Sequence, residues 1–266
     1  MSRVETLTFA YPEGDQIKTV YVYLPDISGL RPPKLPLLIM HDGHNLFFPE
    51  TSAFGETWKA KETLDELAKN EGKKMIVAGI AEPSVERFHQ YSPFVARPGV
   101  KLLPGIGDEN AGGKGDAYLR WIVQTIIPYF QSRYAIDSDN LFMAGSSMGG
   151  FVSLYAAYRY PGLFAKVGVF SPAMWFAEDD MLAYIESHHR PFPGIYLDIG
   201  TSETSNPDNP DFPHIYLSGA QRLNRLLQKL GTTDLLYVEE ADATHSETAW
   251  ARRFPKFCQW LLTPGK

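Results

Sequence analysis

MAGSSMGGF, residues 143–151, places Ser147 between Gly145 and Gly149 in the spacing G-x-S-x-G. An apolar run over 141–144 precedes the serine and a helical pattern follows it, so Ser147 falls on a turn from strand to helix. On such a tight turn the serine hydroxyl projects from the edge of a sheet, and flanking glycines avoid clashes between Cβ atoms. The stretch therefore predicts a nucleophile. The competing interpretation is a glycine-rich turn that serves packing alone.

Short apolar runs on both sides of this stretch predict an α/β fold. Because they are apolar throughout, we expect strands that are covered on both faces, as in a mostly parallel central sheet with helices on either side. Two β-rich runs near the N-terminus, separated by the turn sequence PEGD, predict antiparallel strands. The β-rich runs are 6–11 and 19–24, and the apolar runs are 37–40, 75–80, 141–144, 167–170, 195–199 and 235–238.

Residues 82–116 differ from the rest of the chain, since they carry four prolines and several glycines and show little periodicity. A loop of this length inside a compact domain is usually functional. We predict that it lies over the active-site edge of a single domain spanning residues 1–266.

Composition restricts the classes of partner. The net charge of −6 argues against nucleic acid and anionic membranes, and no apolar run approaches the roughly 20 residues of a membrane span. The one cysteine, Cys258, suits a reducing compartment, and the opening MSRVETLTFA lacks the long apolar region of a signal peptide. We therefore expect a cytoplasmic protein. We expect no nucleic acid or membrane partner, no cofactor and a small-molecule substrate.

A serine hydroxyl needs a base to become a good nucleophile. In hydrolases of α/β type the chain order is Ser, then Asp or Glu, then His. Of seven histidines, His245 is the one that follows the last predicted strand, 235–238. We therefore predict that His245 is the base.

The acid of this set has several candidates, all after the run 195–199 or at its end. Glu203 projects from a loop beyond the strand, where its longer side chain can reach an imidazole, so we favour it. Asp198, at the end of the strand, is the main alternative and could instead be a structural carboxylate. Asp208 and Asp211 follow in the same loop.

An oxyanion needs hydrogen-bond donors on the same edge. The amide of Met148 begins the helix after Ser147, and Gly43 or His44 in the loop after 37–40 can supply a second amide.

Residue types that bind metals also occur in this loop. Yet His41 and His44 lack the i, i+4 spacing of a helical metal site and no further ligand is evident, so we predict no metal site. The run DSDN at 137–140 lacks the glycine and distant glutamate of a calcium-binding EF-hand and is predicted to be a turn.

Several motifs, in this order, resemble the Putative esterase family of the α/β-hydrolases, which includes enterochelin esterase-like, esterase D-like, and feruloyl or acetylxylan esterase-like proteins. The resemblance covers nearly the whole chain from about residue 20. It implies the α/β-hydrolase fold, with Ser147 as nucleophile, Glu203 as acid, His245 as base and the HDGHN loop as oxyanion donor. The motifs are HDGHNLF (41–47), GGKGDAYLRWIV (112–123), GSSMGG (145–150), YPGLF (160–164), FSPAMW (170–175) and DIGTSE (198–203), followed by His245.

Two departures from the family pattern affect substrate preference. Many relatives read HDGQN, where this chain has His44, and Gln90 stands where a glutamate is expected before Tyr91. The sequence thus predicts a serine esterase; an acyltransferase, a peptidase or a non-catalytic binding module on the same fold are the alternatives. Candidates to bind substrate are Trp58, Arg87, Tyr91 and Trp175, with Phe94 and Phe176 as further aromatic residues of the pocket.

Overall fold

An eight-stranded mixed sheet forms the centre of the computed structural model, which describes residues 1–13, 16–27, 33–96, 110–190 and 194–263. The strands are β1 (Arg3–Tyr11), β2 (Gln16–Leu24), β3 (Leu35–His41), β4 (Ile76–Ile80), β5 (Ile136–Ser146), β6 (Lys166–Phe170), β7 (Ile195–Gly200) and β8 (Leu235–Glu240). Every predicted run falls on a strand of this sheet, although β1, β2 and β5 begin three to five residues before their runs.

The strand order is β1-β2-β4-β3-β5-β6-β7-β8. Strand β2 runs antiparallel to both of its neighbours, β1 and β4, and the remaining pairs are parallel. This confirms the predicted α/β-hydrolase type of sheet, mostly parallel with antiparallel N-terminal strands. Because the parallel strands share one direction, the loops that follow β3, β5 and β7 meet at their common carboxyl edge.

Helices cover both faces of the sheet. Successive residues of β3 alternate between two cores, since Leu37 and Ile39 belong to one and Leu38 and Met40 to the other. Helices α1 and α8 bury their apolar residues in the second core, and α3 to α7 pack on the first. The helices are α1 (Ala60–Glu71), α2 (Glu86–Gln90), α3 (Gly115–Trp121), α4 (Ile127–Arg133), α5 (Met148–Arg159), α6 (Glu178–His188), α7 (Phe212–Lys229) and α8 (Glu247–Leu261).

Two local predictions need correction. The run 137–140 lies inside β5, where the register against β3 shifts between Leu35 and Leu37, so it bulges from the strand and does not form a separate turn. Within 82–116, the described residues include the short helix α2 and an isolated bridge between Val95 and Gly112, and are not loop throughout. The central part of that predicted loop, 97–109, lies outside the described residues.

Membrane crossing requires a long apolar helix. Among the helices within the described ranges, none combines that length with that apolar character.

Candidate active site

Ser147 occupies the turn between β5 and α5 with φ 57° and ψ −122°. Its amide donates to the carbonyl of Phe170 at 2.9 Å, which ties the turn to β6. The turn is tight because a Cβ on Gly145 would lie 2.8 Å from the carbonyl carbon of Gly149. A positive φ is unfavourable for serine, so this backbone is held by its surroundings. Ser147 is thereby fixed at the carboxyl edge of the sheet, where it lines a cavity.

His245 lines the same cavity and is oriented by Glu203. The imidazole Nδ1 lies 2.8 Å from Oε2 of Glu203, whose side chain is fully buried. The amide of Gly200 donates to the other carboxylate oxygen at 2.6 Å. His245 immediately precedes Ser246, whose side chain accepts from the Ala249 amide and so starts α8. With Nδ1–H donating to the carboxylate, Nε2 of a neutral ring is left as an acceptor.

Asp198, the alternative acid, contacts other groups. It forms an ion pair with Arg253 at 3.0 Å and accepts hydrogen bonds from the Tyr196 hydroxyl at 2.9 Å and the Ser171 amide at 3.1 Å. Burial raises the pKa of Asp198 to about 7, although the Arg253 guanidinium opposes the rise. The structure therefore brings Glu203, and not Asp198, against the imidazole.

A polar network behind Glu203 was missed by sequence reasoning. The Ser171 hydroxyl donates to Oε1 of Glu203 at 2.5 Å and accepts from the indole of Trp250 at 2.9 Å. Arg253 reaches the same carboxylate oxygen at 3.4 Å while paired with Asp198. One signal was present in the sequence, since Arg253 falls on the buried, apolar face of α8, where an unpaired charge is costly.

The two segments that carry the predicted oxyanion donors pack against each other. Gly43 and His44 form a short 3₁₀ turn directly after β3, and a Cβ on Gly43 would lie 2.0 Å from the carbonyl oxygen of Gly79. This loop packs on the first turn of α5, because a Cβ on Gly149 would lie 3.0 Å from Cβ of His41. Met148 is the first residue of α5, and the first amides of a helix lack an acceptor inside it. Its amide can therefore serve a ligand.

His41, the last residue of β3, is buried next to this loop. Its Nδ1 lies 2.9 Å from the Tyr118 hydroxyl and its Nε2 is buried without a hydrogen-bond partner. Burial lowers the pKa of His41 to about 3. Across the described residues, no three His, Cys, Asp or Glu side chains are grouped so that they could hold a metal ion.

We expect His41 to make stability depend on pH. Its folded-state pKa of about 3 lies below the ordinary 6.5, so the unfolded chain binds the additional proton between these values. The full contribution is present above pH 6.5 and is lost as the pH falls towards 3, by about 1.4 kcal/mol per pH unit. Urea unfolding at pH 7, 6 and 5 should show a steeper loss in the wild type than in His41→Gln. Parallel pH dependences of the two proteins would contradict this.

The cavity has a volume of about 480 Å³. Phe54 and Val85 line it, and they are 78% and 68% exposed although both are apolar. The aromatic residues Phe88, Trp175 and Trp250 also line it and are less exposed. Polar groups also line it: Asp42, Asn45, Glu82, Arg87, Thr204, Ser205 and Glu247.

Arg87 is held rigidly in the cavity wall. Its Nε and one terminal nitrogen each donate to Asp42 at 2.8 Å, and its guanidinium lies over the Tyr91 ring at 5.1 Å. Burial alone would raise the pKa of Asp42, but the guanidinium outweighs it and holds that pKa below its usual value. The positive guanidinium of Arg87 and the negative carboxylate of Asp42 are thus held side by side in the cavity wall.

Two of the predicted substrate-binding residues do not line the cavity. Trp58 is 2% exposed and packs against Phe170, Trp250 and Phe254 in the core. Tyr91 is fully buried, and its hydroxyl accepts from the Asp42 amide at 3.2 Å. Both aromatic rings therefore support residues of the cavity instead of forming its surface. Phe94 and Phe176 likewise pack on other aromatic residues, whereas Arg87 and Trp175 line the cavity as predicted.

A further residue missed from the sequence is Tyr216, in the first turns of α7. Its hydroxyl lies 3.4 Å from Nε2 of His245 and 2.6 Å from the Ser205 hydroxyl. Its ring packs against the imidazole with 4.7 Å between centroids. The position of Tyr216 in the chain was the one indication that it lies near the site, because α7 begins shortly after the loop that carries Glu203.

Comparisons with known proteins agree with this fold. A family model described as "Putative esterase" matches residues 14–261. The uncharacterized protein YbbA of Bacillus subtilis (strain 168) is 24% identical over 90% of each chain. The BES protein from Bacillus cereus has a TM-score of 0.77 at 16% identity, over 99% of this chain and 97% of that one. An IroE-like serine hydrolase from Shewanella oneidensis has a TM-score of 0.76 at 16% identity, over 97% and 79%.

Proposed function

Because the chain belongs to the Putative esterase family, we propose that it is a serine esterase that hydrolyses carboxylic esters through Ser147, His245 and Glu203. The observation that carries this proposal is the 2.8 Å hydrogen bond between Glu203 and His245, beside a cavity that Ser147 also lines. A carboxylate that orients an imidazole beside a strained serine is the arrangement that makes a hydroxyl nucleophilic.

In the first half of the reaction, Nε2 of His245 takes the proton of Ser147 as the hydroxyl oxygen attacks the ester carbonyl. Glu203 stabilises the imidazolium that forms, because the buried carboxylate already accepts from Nδ1. The Met148 amide and an amide from Gly43 or His44 hold the oxyanion, each donor lowering the barrier by about 3 kcal/mol. The imidazolium then gives its proton to the departing alcohol.

In the second half, water replaces the alcohol. His245 takes a proton from a water molecule, and the oxygen of that water attacks the carbonyl carbon of the acyl-enzyme. The bond to Ser147 then breaks, the proton on His245 moves to the Ser147 oxygen, and the carboxylic acid product leaves. A covalent acyl-enzyme is therefore part of the proposal.

The cavity supports small or bulky polar esters as substrates. Its volume of about 480 Å³ and its aromatic walls suit a compact organic group. Arg87, whose side chain is 20% exposed, and Trp175 are the residues that we propose bind substrate.

Covalent labelling tests the proposal directly. We expect a fluorophosphonate to add one phosphonyl group to Ser147, detected by peptide mass spectrometry, and to abolish hydrolysis of p-nitrophenyl acetate. An ester substrate in excess should slow this labelling, because it occupies the same cavity. An unlabelled Ser147 together with no hydrolysis would favour the non-catalytic binding module. Transfer of most acyl groups to an added alcohol, measured by product analysis, would favour the acyltransferase.

A further inference from the structure

Tyr216 lies where the chemistry of the proposed site takes place. Its side chain is buried, and its hydroxyl contacts Nε2 of His245, the atom that would carry the proton, at 3.4 Å. Ser205, which also lines the cavity, holds the same hydroxyl at 2.6 Å. A single phenol therefore contacts both the base and a hydroxyl of the cavity wall.

The hydrogen atoms on the neighbouring groups decide which of these groups can accept a hydrogen bond from the Tyr216 hydroxyl. Burial raises the pKa of Tyr216 to about 12, so the phenol keeps its proton at neutral pH. The Ser205 hydroxyl can donate to the phenol oxygen, whereas Nε2 of a neutral His245 has no hydrogen. In the resting site the phenol therefore donates to Nε2.

This donation has to end once the reaction starts. When Nε2 takes the Ser147 proton it becomes a donor itself and can no longer accept from Tyr216. The phenol proton is then available to another oxygen. The oxygen of the departing alcohol has to approach Nε2 closely to receive its proton, and so it comes near the Tyr216 hydroxyl.

We propose that Tyr216 is a further catalytic residue, which donates a hydrogen bond to the alcohol oxygen as the ester bond breaks. The inference rests on the proposed esterase function. The bond between the carbonyl carbon and the alcohol oxygen breaks, its electron pair stays on that oxygen, and the proton on Nε2 moves to it. Tyr216 keeps its own proton and stabilises the negative charge that develops before the transfer is complete.

The consequence is a dependence on the leaving group. An alkoxide is a poor leaving group and needs this stabilisation, whereas p-nitrophenolate spreads its charge over the ring and departs without it. Loss of the hydroxyl should therefore slow alkyl esters much more than aryl esters of the same acid.

The test compares ethyl acetate with p-nitrophenyl acetate in wild type and Tyr216→Phe. In the variant we expect kcat/KM to fall about 100-fold for the ethyl ester and less than about 5-fold for the p-nitrophenyl ester. Ser205→Ala, which removes a neighbour that holds the phenol, should change the ratio in the same direction by about 10-fold. The matched control is Tyr23→Phe, which removes a tyrosine hydroxyl that donates to Asp65 away from the cavity, and both rates should stay unchanged.

Equal losses for the two esters in Tyr216→Phe, or no loss for either, would overturn the role of Tyr216 and leave the esterase intact. If Tyr216→Phe does not fold, as judged by thermal unfolding, the ratio in Ser205→Ala decides in the same way. A wild-type protein that hydrolyses neither ester would contradict the esterase function itself.

Discussion

Ser147→Ala should lower the turnover of p-nitrophenyl acetate by about 10⁶-fold, the loss typical of a serine nucleophile that acts with its base as a unit. Without the hydroxyl, the covalent intermediate cannot form and no proton can pass from Ser147 to His245. The substitution removes one buried oxygen from a turn that the Phe170 carbonyl still holds, so we expect the melting temperature to change little.

The adjacent Ser146 gives the matched control, because it also lines the cavity and carries the same hydroxyl. We expect Ser146→Ala to keep turnover within a few-fold of wild type. Turnover should be measured from the initial rate of p-nitrophenolate release. A Ser147→Ala variant that retains the parent rate would refute the assignment of the nucleophile.

Glu203→Gln should lower kcat by about 10⁴-fold with little change in KM, by analogy with amide replacement of the acid in other triads. The amide can present an N–H to His245, which favours the tautomer whose Nε2 carries the proton and cannot act as a base. The buried position strengthens the effect, since no solvent can replace the lost carboxylate oxygen.

Asp198→Asn distinguishes the two carboxylates that the sequence left open. The substitution keeps the shape of the side chain, but Arg253 loses the negative charge that it faces at 3.0 Å. Arg253 keeps Glu203 and Glu240 as partners, so we expect a loss of stability in urea below the roughly 3–5 kcal/mol of a fully unpaired buried charge, and kcat within about 10-fold of wild type. The opposite pattern, with kcat collapsing in Asp198→Asn and preserved in Glu203→Gln, would transfer the role of the acid to Asp198.

Continuous apolar runs predicted the central strands correctly because those strands are buried on both faces. Strands β4, β6 and β7 have only buried residues, so each appears in the sequence as a largely apolar run. The bulge at 137–140 was not predictable in this way. Polar residues such as these occur equally in turns, and only the pairing of the flanking Ile136 and Leu141 with β3 makes them part of a strand.

The residues of the candidate site also differ in whether a local sequence pattern predicts them. Ser147 has a local pattern, and His245 follows from chain order, so both were predicted to lie at the carboxyl edge where the structure has them. Trp58 and Trp175 are the same residue type, yet one is in the core and the other lines the cavity, a difference set by tertiary packing. Tyr216 contacts the site from a distant part of the chain and carries no local pattern, and the motif FSPAMW, which contains Ser171, does not by itself predict the contact with Glu203.

Three residues around the cavity, Asp42, Ser147 and Ser171, have φ between 42° and 57° although none is glycine. Each such backbone costs of the order of 1–3 kcal/mol, which the surrounding packing must offset. Asp42 and Ser171 offset this cost through buried contacts with Arg87 and Glu203, so laboratory evolution for heat resistance alone would favour glycine at Ser147, and the most heat-resistant descendants would be poor enzymes. Selection for durability in this protein has to be coupled to selection for turnover.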